Sequence, residues 1–128
     1  MARRRELNVA VIARVPFDEG TLTGTLTLDS KWPEGDWRNT YFVAENLRSS
    51  MAHAEALRPI RPPGMTMPDM ALRFILSNLD VSTIIPGMRK SKHVDTNIAA
   101  SDAGALDQDL ITKLRQHRWD RTPPNGSQ

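Results

Sequence analysis

The chain has 128 residues, a length that accommodates one domain with its own core. Its 17 lysines and arginines nearly balance 15 aspartates and glutamates, and the only tight basic run, Arg3 to Arg5, is terminal, so we expect no nucleic-acid partner. Cysteine is absent, which excludes disulfides and thiolate metal sites; no apolar run approaches the roughly 20 residues of a membrane span, so we expect a cytoplasmic protein.

The first predicted element is a buried strand. Residues 1–6 are polar and basic, which is typical of a helix end or a frayed terminus. From Leu7 to Ala13 the chain is almost continuously apolar and rich in Val and Ile, the pattern of a parallel strand buried on both faces. Pro16 ends it, because proline cannot donate a hydrogen bond to a sheet.

A long loop follows, from Val15 to about Thr40, without helical or strand periodicity. Such a stretch in a compact domain is usually functional or disordered. Trp32 and Trp37 argue against disorder, because exposed tryptophans gain nothing in a mobile loop.

Two helices are predicted next. The first spans Tyr41 to about Leu57 and has an apolar stripe of Val43, Leu47, Met51, Ala54 and Leu57. After a linker rich in proline and glycine at 59–64, Thr66 is the predicted cap of the second helix, where Pro68 is tolerated in the first turn. That helix ends near Asp80, and its apolar face consists of Met67, Met70, Ala71, Phe74 and Ile75.

A second buried strand, Val81 to Ile85, precedes a helix from His93 to Ala100 and a last helix capped by Asp107. Residues 122–128 form a polar, proline-rich tail, predicted to be flexible. Helices between two buried strands predict a right-handed parallel crossover. Two parallel strands cannot form a stable sheet alone, so residues 1–121 are interpreted as part of a larger α/β array.

The most informative motif lies where the second strand ends. A turn containing Gly87 carries Arg89, Lys90 and Lys92 just before a helix begins. Backbone N–H groups and cations at one point suit a phosphate. Together with the loop that follows the first strand, this turn predicts a nucleotide-cofactor site.

These residues resemble the aldo-keto reductase family over nearly the whole chain. VIARVPF at 11–17, followed by GTLTG at 20–24, is similar to the seventh barrel strand and its loop. IPGMR at 85–89 is similar to the eighth strand and its phosphate turn, with the helix after it. WPEGDWR at 32–38 and LRQHRWDR at 114–121 resemble one subfamily, and the four matches occur in the family's order.

The resemblance implies the C-terminal segment of a (β/α)8 barrel: two parallel strands, about four helices and a long loop. It implies the NADP(H)-binding portion of an oxidoreductase that reduces aldehydes or ketones by hydride transfer when the barrel is complete. The family's catalytic Tyr, Lys, His and Asp come from earlier strands, so no catalytic residue is assigned here. No metal ligand is assigned either, because His53 and His117 are too far apart in sequence to suggest a pair. The alternative is an inactive truncated chain, or one that depends on assembly, with self-association through exposed strand edges.

For the first loop, the resemblance places Arg14 where many relatives carry an aromatic residue stacked on the nicotinamide. It implies that Val15, Phe17, Gly20 and Leu22 hold the loop along the cofactor pyrophosphate. Phe17 and Leu22 are equally well explained as ordinary packing residues.

For the second loop, the resemblance aims Arg89 at the adenosine 2′-phosphate, which a guanidinium fork matches well. Gly87 and Met88 form the turn, where glycine lets the backbone approach a phosphate closely. His93 and Asn97 lie four residues apart on one helix face and are predicted to reach the adenine end, although His93 could be a surface histidine. Lys90 and Lys92 are interpreted as solvated.

Two other patterns are given structural interpretations. Asp18 and Glu19 are adjacent carboxylates, and neighbours in sequence usually point apart, which favours a solvated loop over an acid–base pair. Ser49, Ser50 and His53 lack an orienting group, so a helix surface explains them better than a nucleophile and its base. The setting of Tyr41, the only tyrosine, is that of a helix entry.

Overall fold

A computed structural model describes residues 6–120. The predicted tail at 122–128 and most of the predicted helix end at 1–6 lie outside these described residues. Within them the strands are β1 (Ile12–Ala13) and β2 (Thr83–Ile84), and the helices are α1 (Arg38–Tyr41), α2 (Ala44–Leu57), α3 (Met67–Leu76), α4 (Ser91–Asp102) and α5 (Gln108–Arg115). Two 3-10 segments, Asp18–Thr23 and Arg58–Ile60, connect them.

The two strands pair in parallel, with Ile12 opposite Thr83 and Ala13 opposite Ile84. The main-chain N–H groups of Ser82 and Thr83 both donate to the carbonyl oxygen of Val11, at 2.9 and 3.2 Å. The Ser82 hydroxyl oxygen accepts from the N–H of Val11 at 3.0 Å. A parallel pair separated by helices confirms the predicted partial α/β barrel.

The strands are shorter and more exposed than predicted. Leu7, Val9 and Ile12 expose 57–64% of their surface, and Ile85 exposes 60%, so the prediction of strands buried on both faces is wrong for this chain. A parallel strand is buried by neighbouring strands and by helices on both faces. Among the described residues β1 and β2 have only each other as strand partners.

The predicted helix from Tyr41 to Leu57 is interrupted at Phe42 and Val43. Val43 has an extended ψ of 156° and is 49% exposed instead of joining the apolar stripe. The buried Phe42 ring stacks on Trp32, with centroids 5.3 Å apart. This contact accompanies the break and gives the long loop the fixed structure that its tryptophans predict.

The core lies where α2, α3 and α5 meet. Leu57, Met67, Met70, Leu106, Leu110 and Ile111 form one buried cluster, called the core cluster below. The buried members of the stripes predicted for α2 and α3 include Leu57, Met67 and Met70. Leu72 is 1% exposed although it lies off the predicted face of α3. Helix α3 is therefore covered on more than one side, and α4 packs against it.

The predicted caps are present. The Thr66 hydroxyl accepts from the N–H of Asp69 at 3.2 Å, and an Asp107 carboxylate oxygen accepts from the N–H of Leu110 at 2.8 Å. Helix α3 ends at Leu76, four residues before the predicted end at Asp80. The Asn78 side chain accepts from the N–H of Asp80 at 3.0 Å and forms a local turn that competes with further helix.

Candidate functional site

Both parallel strands end at one edge of the sheet, and each continues into a loop that carries predicted site residues. The main-chain N–H of Ile85 donates to the carbonyl oxygen of Ala13 at 3.1 Å. Pairing therefore continues to the first residue after β2. Ligands of open α/β sheets bind outside this carboxyl edge. The fold thus brings residues 14–24 and 85–91 to the edge where a ligand is expected.

The first loop contains unusual backbone angles. Val15, Asp18 and Glu19 have φ of 55°, 50° and 56°, and Gly20 has φ of 109°. A left-handed conformation is disfavoured for a β-branched residue such as valine, and each such residue costs about 1–3 kcal/mol. Strain of this kind clusters at functional sites. Of these four residues, only Gly20 is of a type whose presence in the sequence suggests a positive φ.

Main-chain hydrogen bonds fix this loop. The N–H groups of Gly20 and Leu22 both donate to the carbonyl oxygen of Phe17, at 3.1 and 3.0 Å, and the N–H of Asp18 donates to that of Val15 at 3.1 Å. The Leu22 side chain packs against the core cluster, as the packing interpretation predicts. Arg14 is exposed. The contacts of this loop with a cofactor remain predictions.

The second loop is open around its glycine. A Cβ added to Gly87 would meet no heavy atom within 4 Å. The other glycines of the described residues are equally open, so the space around Gly87 permits the close approach of a ligand without itself indicating one. Met88 is 48% exposed, and Arg89 is also exposed.

Positive charge collects at the start of α4. Arg89, Lys90 and Lys92 are all exposed, and no carboxylate of residues 6–120 forms an ion pair with them. Among the described residues no side chain caps this helix. The N–H groups of His93 and Val94 donate back to the carbonyl oxygen of Lys90, at 2.8 and 3.3 Å. Only the N–H groups of Ser91 and Lys92 are left without a described acceptor, and amides of this kind beside cations can bind an anion.

Asn97 connects α4 to the turn. Its side-chain Nδ2 donates to the carbonyl oxygen of Gly87 at 3.3 Å, across ten residues. His93, one helical turn earlier, is exposed. The four-residue spacing of His93 and Asn97 predicts that they lie on one face of α4. It does not predict that this face contacts the turn at Gly87. The structure thus gives Asn97 a contact that sequence reasoning missed, and contact with adenine remains a prediction.

Asp36 and Arg38 form an ion pair where the long loop meets α1. The guanidinium donates to both carboxylate oxygens, from Nε at 2.9 Å and from Nη2 at 2.6 Å. These hydrogen bonds, together with one from the Arg38 N–H, lower the pKa of Asp36 from 3.8 to about 2. Arg38 also lies over the Trp32 ring, 5.6 Å from its centroid. The D-x-R spacing was the only signal for this pair, and its contacts stabilise the loop.

Tyr41 and His53 both have potentially reactive side chains, and both make ring contacts. Tyr41 packs edge-on against Trp37 and Phe42, at 5.6 and 4.8 Å between centroids. His53 stacks on Trp119 at 4.6 Å, with ring planes 5° apart.

Within residues 6–120 no group of three or more His, Asp and Glu side chains could hold a metal ion. None of the helices in that range is long and apolar enough to cross a membrane.

Comparison with known proteins identifies the type of fold to which this edge belongs. The family model described as the aldo/keto reductase family matches residues 1–118. The aldo-keto reductase AKR11C1 from Bacillus halodurans, in its apo and holo forms, superposes on 91% of this chain with a TM-score of 0.61 at 21% identity. The superposition covers 37% and 36% of those two chains.

Curated relatives give a similar result. The NADH-specific methylglyoxal reductase of Escherichia coli (strain K12) is 31% identical over 114 residues, which cover 88% of this chain and 34% of that protein. The aldo-keto reductase yakc [NADP(+)] of Schizosaccharomyces pombe is 26% identical over 99 residues, which cover 75% of this chain and 29% of that protein. This chain therefore spans about a third of the length of the relatives that it matches.

Proposed function

This chain belongs to the aldo/keto reductase family, and on that premise we propose that its two loops form the dinucleotide-binding end of an oxidoreductase site that prefers NADP(H). The observation that carries the proposal is the parallel pairing of Ala13 with Ile84, which brings residues 14–24 and 85–91 to one edge. Exposed cations and the N–H groups of Ser91 and Lys92, which have no described acceptor, lie at that edge.

The second loop fits the phosphate end of such a cofactor. The Arg89 guanidinium is exposed and presents a planar fork suited to a 2′-phosphate. The open space around Gly87 would let a phosphate approach the main chain. Asn97 holds the carbonyl oxygen of Gly87 and so positions this turn. In the proposed site Met88 and His93 border the adenosine end.

The first loop fits the rest of the dinucleotide. We propose that Val15, Phe17, Gly20 and Leu22 hold the main chain along the pyrophosphate, with the Leu22 side chain anchoring the loop to the core cluster. Arg14 would place a planar cation beside the nicotinamide ring. The strained Val15 supports this assignment, since it maintains an unfavourable φ of 55° at the edge where a ligand is expected.

The preference for NADP(H) depends on Arg89. One relative is named for NADH and another for NADP(+), so family membership alone favours neither cofactor. A guanidinium pairs with the 2′-phosphate that only NADP(H) carries. The assignment therefore predicts discrimination between two ligands that differ in one phosphate.

The bound nicotinamide would exchange a hydride with the carbonyl carbon of an aldehyde or ketone. The residues of this chain would bind and orient the dinucleotide, while the proton donor would come from elsewhere in a complete barrel. Tyr41, the only tyrosine, packs between aromatic rings. We propose that these 128 residues bind cofactor without turnover, and that the protein acts in the cytoplasm.

The direct test maps the binding surface on the 128-residue chain. Backbone amide resonances would be followed by NMR while NADPH is added. We expect saturating shifts in residues 14–22 and 87–97, with smaller shifts on addition of adenosine. Shifts confined to other segments would contradict the assignment of the site.

A second candidate is a chain that depends on assembly, and the exposed apolar residues of the strand segments favour it. Leu7, Val9, Ile12 and Ile85 are each more than half exposed, and apolar strands with unpaired edges promote association. Sedimentation of the purified chain would test this candidate. A concentration-dependent mass would support it, and a monomer that melts cooperatively would count against it.

A further inference from the structure

A cavity of about 170 Å³, with a lining that is partly polar and partly apolar, lies between the 3-10 segment Asp18–Thr23, the end of α2 and the residues that lead into α3. Its volume is several times the roughly 30 Å³ that one water occupies in the liquid. The polar part of its lining consists of Thr21, Thr23, Glu55, Arg58, Arg61 and Thr66. Two cations and one carboxylate leave this lining with a net positive charge.

Arg58 is anchored but keeps free donors. Its Nε donates to a carboxylate oxygen of Glu55 at 2.7 Å. A guanidinium has five N–H donors, and this bond uses one of them. The ion pair also neutralises the only carboxylate in the lining, so Glu55 does not oppose an anion there.

Arg61 supplies the unbalanced charge. Its Nη1 donates to the carbonyl oxygen of Met65, which holds the guanidinium at the entrance to α3. Arg61 is half-buried, and no carboxylate within the described range lies within ion-pair distance of it. A partly desolvated cation without a carboxylate partner attracts an anion.

One hydroxyl adds to this donor set. The Thr66 hydroxyl oxygen accepts a hydrogen bond from the N–H of Asp69. No acceptor is described for the Thr66 O–H itself, so this group can donate to a ligand. The Thr23 hydroxyl differs, because it donates to the carbonyl oxygen of Gly20 at 2.6 Å. The cavity therefore offers two guanidinium groups and the hydroxyl of Thr66 as donors.

We propose that this cavity binds a small oxyanion of the phosphate class, held by Arg58, Arg61 and Thr66. The bond to the Met65 carbonyl oxygen orients the half-buried Arg61 guanidinium in advance, which lowers the entropic cost of binding. Arg58 and Glu55 are about half exposed, so their ion pair contributes less to this orientation. None of these three side chains belongs to the proposed cofactor site. The cavity does share Thr21, Thr23 and Gly24 with the loop proposed to bind the cofactor, so the effect of substituting Arg61, and not the shifts of that loop, separates the two sites.

The test is a titration of the full chain with inorganic phosphate at constant ionic strength, followed through backbone amide shifts. We expect saturation, with the largest shifts at 21–24 and 61–67. Arg61→Gln should weaken binding by about tenfold, the effect of losing about 1.4 kcal/mol. Arg58→Gln should also weaken it, and Arg61→Lys should retain part of the affinity because it keeps the charge.

Two arginine variants serve as matched controls. Arg48→Gln removes an exposed cation of α2 that does not line the cavity, and we expect its affinity to stay within about twofold. Arg89→Gln distinguishes this cavity from the proposed cofactor turn. Linear shifts that do not saturate, equal loss in Arg48→Gln, or loss in Arg89→Gln but not in Arg61→Gln would each overturn the proposal. Thermal melts followed by circular dichroism would show that each variant folds.

Discussion

The Nε of Arg73 donates to the carbonyl oxygen of Gly104 at 2.9 Å and so connects α3 to the turn between α4 and α5. Its Nη2 lies within hydrogen-bond distance of the flanking carbonyl oxygens of Ala103 and Ala105, at 3.4 and 3.3 Å. One side chain thus supplies hydrogen-bond donors to three consecutive main-chain carbonyl groups in the turn between α4 and α5. Neither the helical periodicity nor the charge pattern predicts this contact.

Replacing Arg73 should destabilise the chain. We expect Arg73→Ala to lower the free energy of unfolding by about 1.5–3 kcal/mol, because hydrogen bonds from a charged donor are lost and carbonyl groups lose their partner. Urea denaturation would measure the change. Arg48→Ala is the matched control, since it removes an exposed arginine from a neighbouring helix. Equal effects of the two substitutions would refute the role of Arg73.

Leu72 and Leu79 provide a paired test of burial. Leu72 is 1% exposed and Leu79 is 90% exposed. Leu72→Ala should lower the free energy of unfolding by about 2–5 kcal/mol, the usual cost of a large-to-small change in a core. Leu79→Ala should change it by less than about 0.5 kcal/mol. If both leucines tolerate alanine equally in chemical denaturation, the packing of α3 differs from the one described.

The cap of α5 can be tested with two substitutions at one residue. Asp107→Ala removes the acceptor for the Leu110 N–H, and we expect a loss of about 1 kcal/mol in the free energy of unfolding. Asp107→Asn keeps a capping oxygen and should retain most of the stability. Thermal unfolding would rank the three proteins. An asparagine variant as unstable as the alanine variant would show that charge, not capping, is the cause.

The Asp36–Arg38 pair makes a prediction about pH. Arg38 lowers the pKa of Asp36 from 3.8 to about 2 in the folded chain. Because the folded value is the lower one, this pair contributes stability above pH 3.8 and loses that contribution as the pH falls towards 2. A carbon-13 titration of the Asp36 carboxyl group should show the lowered pKa. In Arg38→Ala the pKa should return towards 3.8, and an unchanged value would exclude Arg38 as the cause.

Arg89→Ala tests the proposed cofactor preference. A charge-assisted hydrogen bond contributes about 1.5–3 kcal/mol, so binding of NADPH should weaken by about 10- to 100-fold. Binding of NADH, which lacks the 2′-phosphate, should hardly change. Fluorescence titration with both dinucleotides would measure the two affinities, in a restored barrel if the chain alone binds too weakly. Equal losses for NADPH and NADH would remove the 2′-phosphate assignment.

Local rules predicted the local features of this fold. Thr66 and Asp107 are caps because a short polar side chain precedes a helical stripe, and both bonds are present. The parallel pairing of the strands followed from the two apolar runs separated by helices. In the structure this parallel pairing brings the loops that carry Arg14 and Arg89 to one edge.

Features that depend on distant contacts were not predictable from the same patterns. The break before Ala44 accompanies a ring contact between Trp32 and Phe42, ten residues apart in sequence. Ile12 is exposed because its strand lacks neighbours among the described residues that would cover it. An apolar sequence shows that a strand can be buried, but it does not show whether other elements are present to bury it. The positive φ of Val15 is a property of the folded loop, and valine itself disfavours that angle.

The ladder between β1 and β2 has a consequence for measured affinity. Each strand is only two residues long, so the ladder should open locally more often than the core cluster, and its amides should exchange quickly with solvent. A dinucleotide that contacts both loops would bind only those molecules in which β1 and β2 are paired. Its apparent dissociation constant would therefore rise as the fraction of paired molecules falls. Flanking strands would then increase affinity by preorganisation alone, without adding a single contact to the ligand.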